Sequence, residues 1–296
     1  VAYVRVQQTS SVVLTHTFEV DEVGTDASGP VTWALFHADG TAVTPGGTGT
    51  AASAGAGTGR YTMTFNAPPA PDLYTLAWTG TFGGVPVTAI DTVETVGGYM
   101  FGIAEARAAL AATMGGNNAA KYPTSLLVDK RMVVEQEAED IAGGSIGCFA
   151  FVPRFARVQV PGNNTTELGV PHLPIRKLRS VSIFGNQFSA AQLADVKFGE
   201  AGVLSYLGGW IWGFGARNIT IEYEFGTDSP PLYVRDAAIR RLQQVCSAPS
   251  AMIPTNAIQW TTQEGGIYRL ASPGVQSTGY LDIDAAYQRA GYSGPF

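Results

Sequence analysis

Three histidines, two cysteines, one dense run of carboxylates and one tryptophan-rich turn are the parts of this 296-residue chain whose types could do chemistry. His16, His37 and His172 would be the metal ligands or general bases. None stands at i, i+4 from another or beside a Cys-x-x-Cys, which is the company a zinc site needs. Each reads as a surface or satisfied strand histidine. A nucleophile elbow would need Gly-x-Ser-x-Gly between a strand and a helix, and Gly143-Gly144-Ser145 lies at a helix end instead. Gly213-Phe214-Gly215 resembles a piece of a phosphate loop, but no helix follows it, so it reads as a turn between strands. The run Glu135-Gln136-Glu137-Ala138-Glu139-Asp140 falls around much of a helix with Lys130 and Arg131 nearby for pairing, so a solvated or subunit-facing surface is expected. Gly208-Gly209-Trp210-Ile211-Trp212-Gly213 could stack on a sugar, although a hairpin with packing tryptophans is the simpler reading. No constellation of nucleophile, base and oxyanion donors emerges. The expectation is a protein that is not an enzyme and has no cofactor and no metal.

Composition narrows the class. Charged residues make up 14% of the chain, against roughly 25% in an ordinary soluble domain, and hydrophobic residues 45%. Such a surface suits extensive contact with other protein. The net charge of −6 is unevenly placed: residues 1–97 hold two cations and eight acids, and the rest of the chain is balanced. That break suggests a boundary near residue 98. It also argues against a dedicated nucleic-acid surface, which needs clustered cations to release counterions. Cys148 and Cys246 are too few for a disulfide framework and are expected to be buried free thiols. No run reaches the roughly 18 apolar residues that span a membrane, so no membrane contact is expected.

The elements that must position these residues fall into three stretches. Residues 1–97 read as six or seven short strands with turns every 8–12 residues, the pattern of a β-sandwich. Trp33 in Val31–Phe36 would be a core tryptophan of the third strand, and Asp72-Leu73-Tyr74 has the form of a tyrosine corner, whose phenol bonds back to backbone. This stretch resembles immunoglobulin-like (Ig-like) modules without their disulfide. Gly97-Gly98 reads as a hinge. Residues 98–250 read as helices over Ile103–Met114, over a stretch beginning near Pro123 with Thr124 or Ser125 capping, and over Leu232–Cys246. Four strand-like runs separate the second helix from the third: Cys148–Val160, Pro171–Phe184, Val203–Phe214 and Ala216–Phe225. Residues 251–296 are Ser-, Gly- and Thr-rich with spaced aromatics, a weak strand at Ile258–Thr262 and a short helix at Ile283–Arg289. They read as either a disordered tail or an arm that orders on a partner, and the spaced aromatics favour the arm. The expected fold class is multi-domain α+β: an all-β Ig-like sandwich, a mainly helical domain with a small β-sheet or hairpin, and an extended C-terminal arm.

The order of features over residues 99–247 resembles the head–tail connector (adaptor) family of long-tailed bacteriophages. A short helix precedes a longer one. Next come a Pro-flanked basic strand, Leu173-Pro-Ile-Arg-Lys-Leu-Arg-Ser-Val181, and a segment ending in Gly208-Gly209-Trp210. The strand Ile219-Thr-Ile-Glu-Tyr-Glu-Phe-Gly226 follows, and a helix after Pro230-Pro231 closes the core. The sandwich, Asn163–Thr166 and the long tail depart from the family pattern. The resemblance implies a virion protein assembled in the bacterial host cytoplasm. It implies a ring, commonly dodecameric in that family, beneath the portal protein, which lengthens the DNA channel and docks a tail-side neck (head-completion or stopper) protein. Its partners would be the portal, neighbouring subunits, that neck protein and, transiently and without specificity, passing DNA. On this reading Leu126, Val133, Leu232, Ile239 and Leu242 make core and ring contacts. Tyr280, Ile283, Tyr287, Tyr292 and Phe296 form the portal-binding arm, and Arg176, Lys177 and Arg179 either face the DNA channel or solvate an edge strand. The competing reading is a tail or baseplate-associated module that recognises a host-surface glycan through Trp210, Trp212 and Trp260.

Overall fold

The computed structural model describes residues 2–44, 46–114, 121–144, 148–199, 202–207, 211–247, 259–261, 267–269 and 278–291. Ten strands lie within residues 3–96: β1 (Tyr3–Gln7), β2 (Ser11–Thr17), β3 (Glu19–Val20), β4 (Val23–Gly24), β5 (Thr32–His37), β6 (Thr48–Thr50), β7 (Ala52–Ser53), β8 (Arg60–Asn66), β9 (Asp72–Phe82) and β10 (Val85–Val96). One sheet runs β1-β10-β9-β5-β6, with β1 parallel to β10. The facing sheet runs β2-β8-β7, and β3 and β4 form a small hairpin. Period-two alternation puts Tyr61, Met63 and Phe65 of β8 and Tyr74, Leu76 and Trp78 of β9 on the inner faces. These side chains close one apolar core between the two sheets.

Trp78, fully buried, holds the centre of that core; Trp33, directly opposite on β5, is only half-buried at its edge. The indole of Trp33 lies against Gly49 of β6, where a Cβ would come within 2.7 Å of the ring. Burial and the neighbouring Asp72 carboxylate raise the pKa of the Tyr74 phenol.

The second half is not mainly helical. Among the described residues strand takes 42% and helix 25%, which overturns that part of the expected fold class. Between residues 148 and 225 the described residues form nine further strands: β11 (Cys148–Phe149), β12 (Arg154–Gly162), β13 (Glu167–Gly169), β14 (His172–Leu173), β15 (Ile175–Ile183), β16 (Asn186–Gln187), β17 (Val196–Phe198), β18 (Val203–Tyr206) and β19 (Gly215–Phe225). They make a four-stranded sheet in the order β12-β19-β15-β16, a three-stranded sheet β13-β18-β17 and the parallel pair β11-β14. The physical reason is the long alternation in β12, β15 and β19. Ile219, Ile221, Tyr223 and Phe225 of β19 all turn to one buried face, enough to nucleate an independent core with Val181, Leu204 and Trp212. The three-residue strands β13 and β17 are too short for a periodic signal. The short helix α3 of this region (Ala190–Ala194) is announced by a capping box, Ser189 with Gln192.

The helices α1 (Ile103–Met114), α2 (Thr124–Gly143), α4 (Leu232–Ser247) and α5 (Leu281–Ala290) share a third core. Pro123 itself is the N-cap of α2, and Thr124 Oγ1 accepts from Arg107 at 2.6 Å instead of capping. Gly97 is not a free hinge. Its N–H donates to the Pro153 carbonyl at 2.7 Å, and a Cβ would strike the proline ring at 2.6 Å. Within the expected arm, β20 (Gln259–Thr261) pairs with β21 (Ile267–Arg269), and α5 packs on α2 and α4. Ile283 and Tyr287 are fully buried there. Truncating such an aromatic forfeits its transfer energy and leaves a cavity. Tyr287→Ala is therefore expected to lower the unfolding free energy by about 3–5 kcal/mol in urea titration. A loss near zero would mean α5 stands off the bundle in solution.

Candidate functional site: a buried charge junction and the cleft beside it

Six ionisable side chains meet where the sandwich joins the rest of the chain. Arg5 interrupts the apolar alternation of β1, and Glu94 does the same in β10. Glu135 and Glu139 stand four apart on α2, so they share one helix face, with Arg131 a turn before. Arg154 opens β12. Arg5, Arg131, Glu94, Glu135 and Glu139 are buried.

The contacts are dense. Arg5 Nε donates to Glu94 at 3.0 Å; its Nη2 reaches Glu139 at 3.3 Å and Gln136 at 3.2 Å, and its Nη1 lies 3.5 Å from Glu135. Arg154 donates to Glu94 at 2.6 Å and to Glu139 at 2.7 Å. The Tyr3 hydroxyl donates to Glu94. Arg131 lies over the Tyr99 ring, 3.4 Å from its centre, and Tyr99 donates to the Arg5 carbonyl at 3.0 Å. The Met100 N–H donates to Glu135 at 2.8 Å.

The protonation balance follows from this crowding. Burial works to raise the Glu94 carboxyl, but Arg154 and Arg5 overcome it and hold the group below the usual carboxylate range. Glu135 has weaker compensation, and burial pushes it up to about 7. Burial likewise raises Glu139. Burial opposes the charge on Arg5, and Glu139 and Glu94 more than offset it.

An open cleft of about 1040 Å³ lies beside the network. It is lined by Met132, Val133 and Asp140 of α2, by Phe155 and Phe225 of the sheet, and by Cys148, among others. Cys148 is exposed rather than buried, unlike Cys246.

Each histidine has a side-chain partner. His16 Nδ1 is 2.9 Å from Asp91, which also accepts from Trp78 at 3.0 Å. His37 Nδ1 is 3.3 Å from Asp72. His172 Nδ1 is 2.6 Å from the Tyr223 hydroxyl, and burial followed by the nearby Arg154 charge lowers its pKa to about 4. Among the described residues no group of three His, Cys, Asp or Glu could hold a metal ion, and no helix is long and apolar enough to cross a membrane.

The other predicted residues scatter. Leu242 is in the helical core, Leu126 and Ile239 pack against it half-buried, and Val133 and Leu232 are exposed. Tyr280 is exposed at the N-cap of α5 beneath Arg241, Ile283 and Tyr287 are internal, and Tyr292 and Phe296 lie outside the described residues. Arg176 pairs with Asp228 at 2.5 Å, and Lys177 is exposed. Arg179 is committed to Glu224 at 2.9 Å and to the Pro71 carbonyl of the sandwich at 2.5 Å. Trp212 is buried with its indole N–H on the Thr166 carbonyl at 3.2 Å, which takes it out of any sugar-stacking face. Trp210 and the Trp260 side chain lie outside the described residues.

The junction itself escaped the sequence reading, which placed the acidic run of α2 on an outer surface. The available signal was the i, i+4 spacing of Glu135 and Glu139 alongside Leu127, Val134 and Ala138. Lone charges in the alternation of β1 and β10 pointed the same way.

No protein-family model and no curated protein matches the chain. Among solved structures it is similar to a chain titled "Neck of empty GTA particle computed with C6 symmetry". The identity is 11% over 67% of this chain and 92% of that one, with a TM-score of 0.43. A sialyltransferase from Photobacterium damsela follows at 14% identity over 41% of this chain and 24% of that one, with a TM-score of 0.22. Neither score reaches the level of a shared fold.

Two predictions follow from the network. Removing one partner strands a buried charge, so Glu94→Ala is expected to cost about 3–5 kcal/mol by chemical denaturation. A cost under about 1 kcal/mol would indicate a solvated pair. Glu135 tests the sign of the pH dependence. Its raised pKa means the folded chain holds a proton that the unfolded chain has released, so this group's contribution to stability falls as pH rises from the ordinary carboxylate range through 7. Glu94, held low, has the opposite sign: its contribution is lost as pH falls through its folded value. Glu135→Gln should therefore gain stability relative to the parent between about pH 5 and about pH 8, read as melting temperature. A parallel pair of pH curves would rule out the shift.

Proposed function

We propose that the protein is a structural, non-enzymatic component of a phage-like particle: a head-to-tail adaptor that mounts as a ring beneath the portal, extends the DNA channel and docks the next neck protein. The observation that carries this reading is the arrangement of the stretch resembling the connector family. Its three expected helices, α1, α2 and α4, share one apolar core, and the strand Ile219-Thr-Ile-Glu-Tyr-Glu-Phe225 is central in the four-stranded sheet. The low charge fraction supports a protein that works by contact with other protein. In this proposal residues 1–97 are an Ig-like decoration module held to the adaptor at residues 98–250 by the buried junction. The portal grip falls to the end of the arm, since Ile283 and Tyr287 are committed to the core.

The test is to mix the purified protein with the portal ring encoded beside it and image the product by electron microscopy. An added tier with the portal's symmetry is expected, and truncation after Gly291 should abolish it while leaving α5 intact. A chain that never joins the portal would overturn the reading.

A further inference from the structure

The four-stranded sheet carries a protruding apolar tip at one end and the cleft at the other. β12 runs from Arg154 at the cleft to Gly162 at the tip, and β19 returns from Gly215 to Phe225. At about 3.3 Å per residue, nine residues put the two ends roughly 26 Å apart.

Asn218 builds the tip. Its Oδ1 accepts from the Gly162 N–H at 2.8 Å, its Nδ2 donates to the Gly213 carbonyl at 2.8 Å, and its carbonyl accepts from the Phe184 N–H at 2.8 Å. Phe184 and Phe214 are thereby brought beside one residue, and they are 67% and 82% exposed. Phe184 holds φ +51, a backbone state that a bulky residue rarely adopts and that here turns the tight β15–β16 hairpin with Gly185. Arg217, next to Asn218, is exposed and makes no ion pair among the described residues.

The cleft offers the converse. Met132, Val133, Phe155 and Phe225 give it apolar walls, and Val133 is 53% exposed. The lining carboxylates Glu94, Glu139 and Glu137 are already paired with arginines. The Asp140 carboxylate, also exposed, accepts a hydrogen bond only from Gln136 among the described residues.

We propose that the Phe184–Phe214 tip of one copy seats in the cleft of the next, with Arg217 meeting Asp140. Tip and cleft occupy opposite ends of one rigid sheet, so a chain cannot fill its own cleft. The contact is heterologous and propagates head to tail until rotation closes it. The proposal rests on the ring reading and supplies its subunit contact.

The exposed native thiol in the cleft provides the probe. Asn186→Cys, on the same hairpin beside the tip, treated with a short bis-maleimide should join the new thiol to Cys148 of the next copy. Denaturing gels should then show a ladder of dimers, trimers and larger species, and adding Cys148→Ser should abolish it. Arg217→Asp in the Asn186→Cys background should slow the ladder roughly tenfold through a like-charge contact, and Asp140→Arg should restore it. Products that stop at dimers and survive Cys148→Ser would mean tip meets tip, and would overturn the proposal. So would the absence of cross-links. Portal imaging separates the two readings: a tier without Asn186→Cys to Cys148 cross-links sinks only the contact, and a ladder without portal binding sinks only the neck assignment.

Discussion

The structure depends on a cluster of three arginines and three glutamates that has been taken out of water. Each ion costs several kcal/mol to desolvate, and mutual attraction repays that only when the geometry is complete. Arg5 and Glu94 come from the two parallel strands at the end of the sandwich sheet. Arg131, Glu135 and Glu139 come from α2, and Arg154 from the first residue of β12. No one of these elements can bury its charge alone. The sandwich, the helical core and the second sheet are thus joined by a penalty each would incur if separated. The Gly97–Pro153 contact and the Arg179–Pro71 hydrogen bond reinforce the same seam.

This explains why sequence reading worked within each element and failed between them. The strands of the sandwich, α1 and α4 were legible because their pattern is local: period two for strands, helix formers between Gly and Pro signals for helices. Residues 283–289 were legible as a helix, but its burial was not. Ile283 and Tyr287 stand four apart, which is as suitable for a partner groove as for the chain's own α2 and α4. Glu135 and Glu139 posed the same ambiguity. A charged residue on a helix is solvated by default, and only the arrival at Glu139 of Arg5 from 134 residues before and Arg154 from 15 after offsets the cost of burial. Tertiary complementarity of this kind leaves no periodic trace.

The balance of helix and strand was misjudged for a related reason. Between β12 and β19 the chain makes strands of two to four residues, and those of the three-stranded sheet send Leu168, Val196 and Leu204 into a core that the longer strands already hold. Short strands draw their stability from neighbours, so they carry little signal of their own. Trp212 shows the consequence: among glycines it has the look of an exposed stacking platform, yet it fills the centre of that core.

A rigid seam also bears on how a ring could be built. If sandwich and sheet moved independently, the cleft between them would change shape, and ordering it would consume part of any binding energy gained there. Buried charges at its floor restrict that motion. Saturated by their own partners, Glu94, Glu139 and Arg154 leave the cleft's recognition to its apolar walls and to Asp140. The ions therefore act on assembly indirectly. They keep in place a surface whose selectivity comes from shape and from one unpaired carboxylate, and they would do so equally for any occupant the cleft receives.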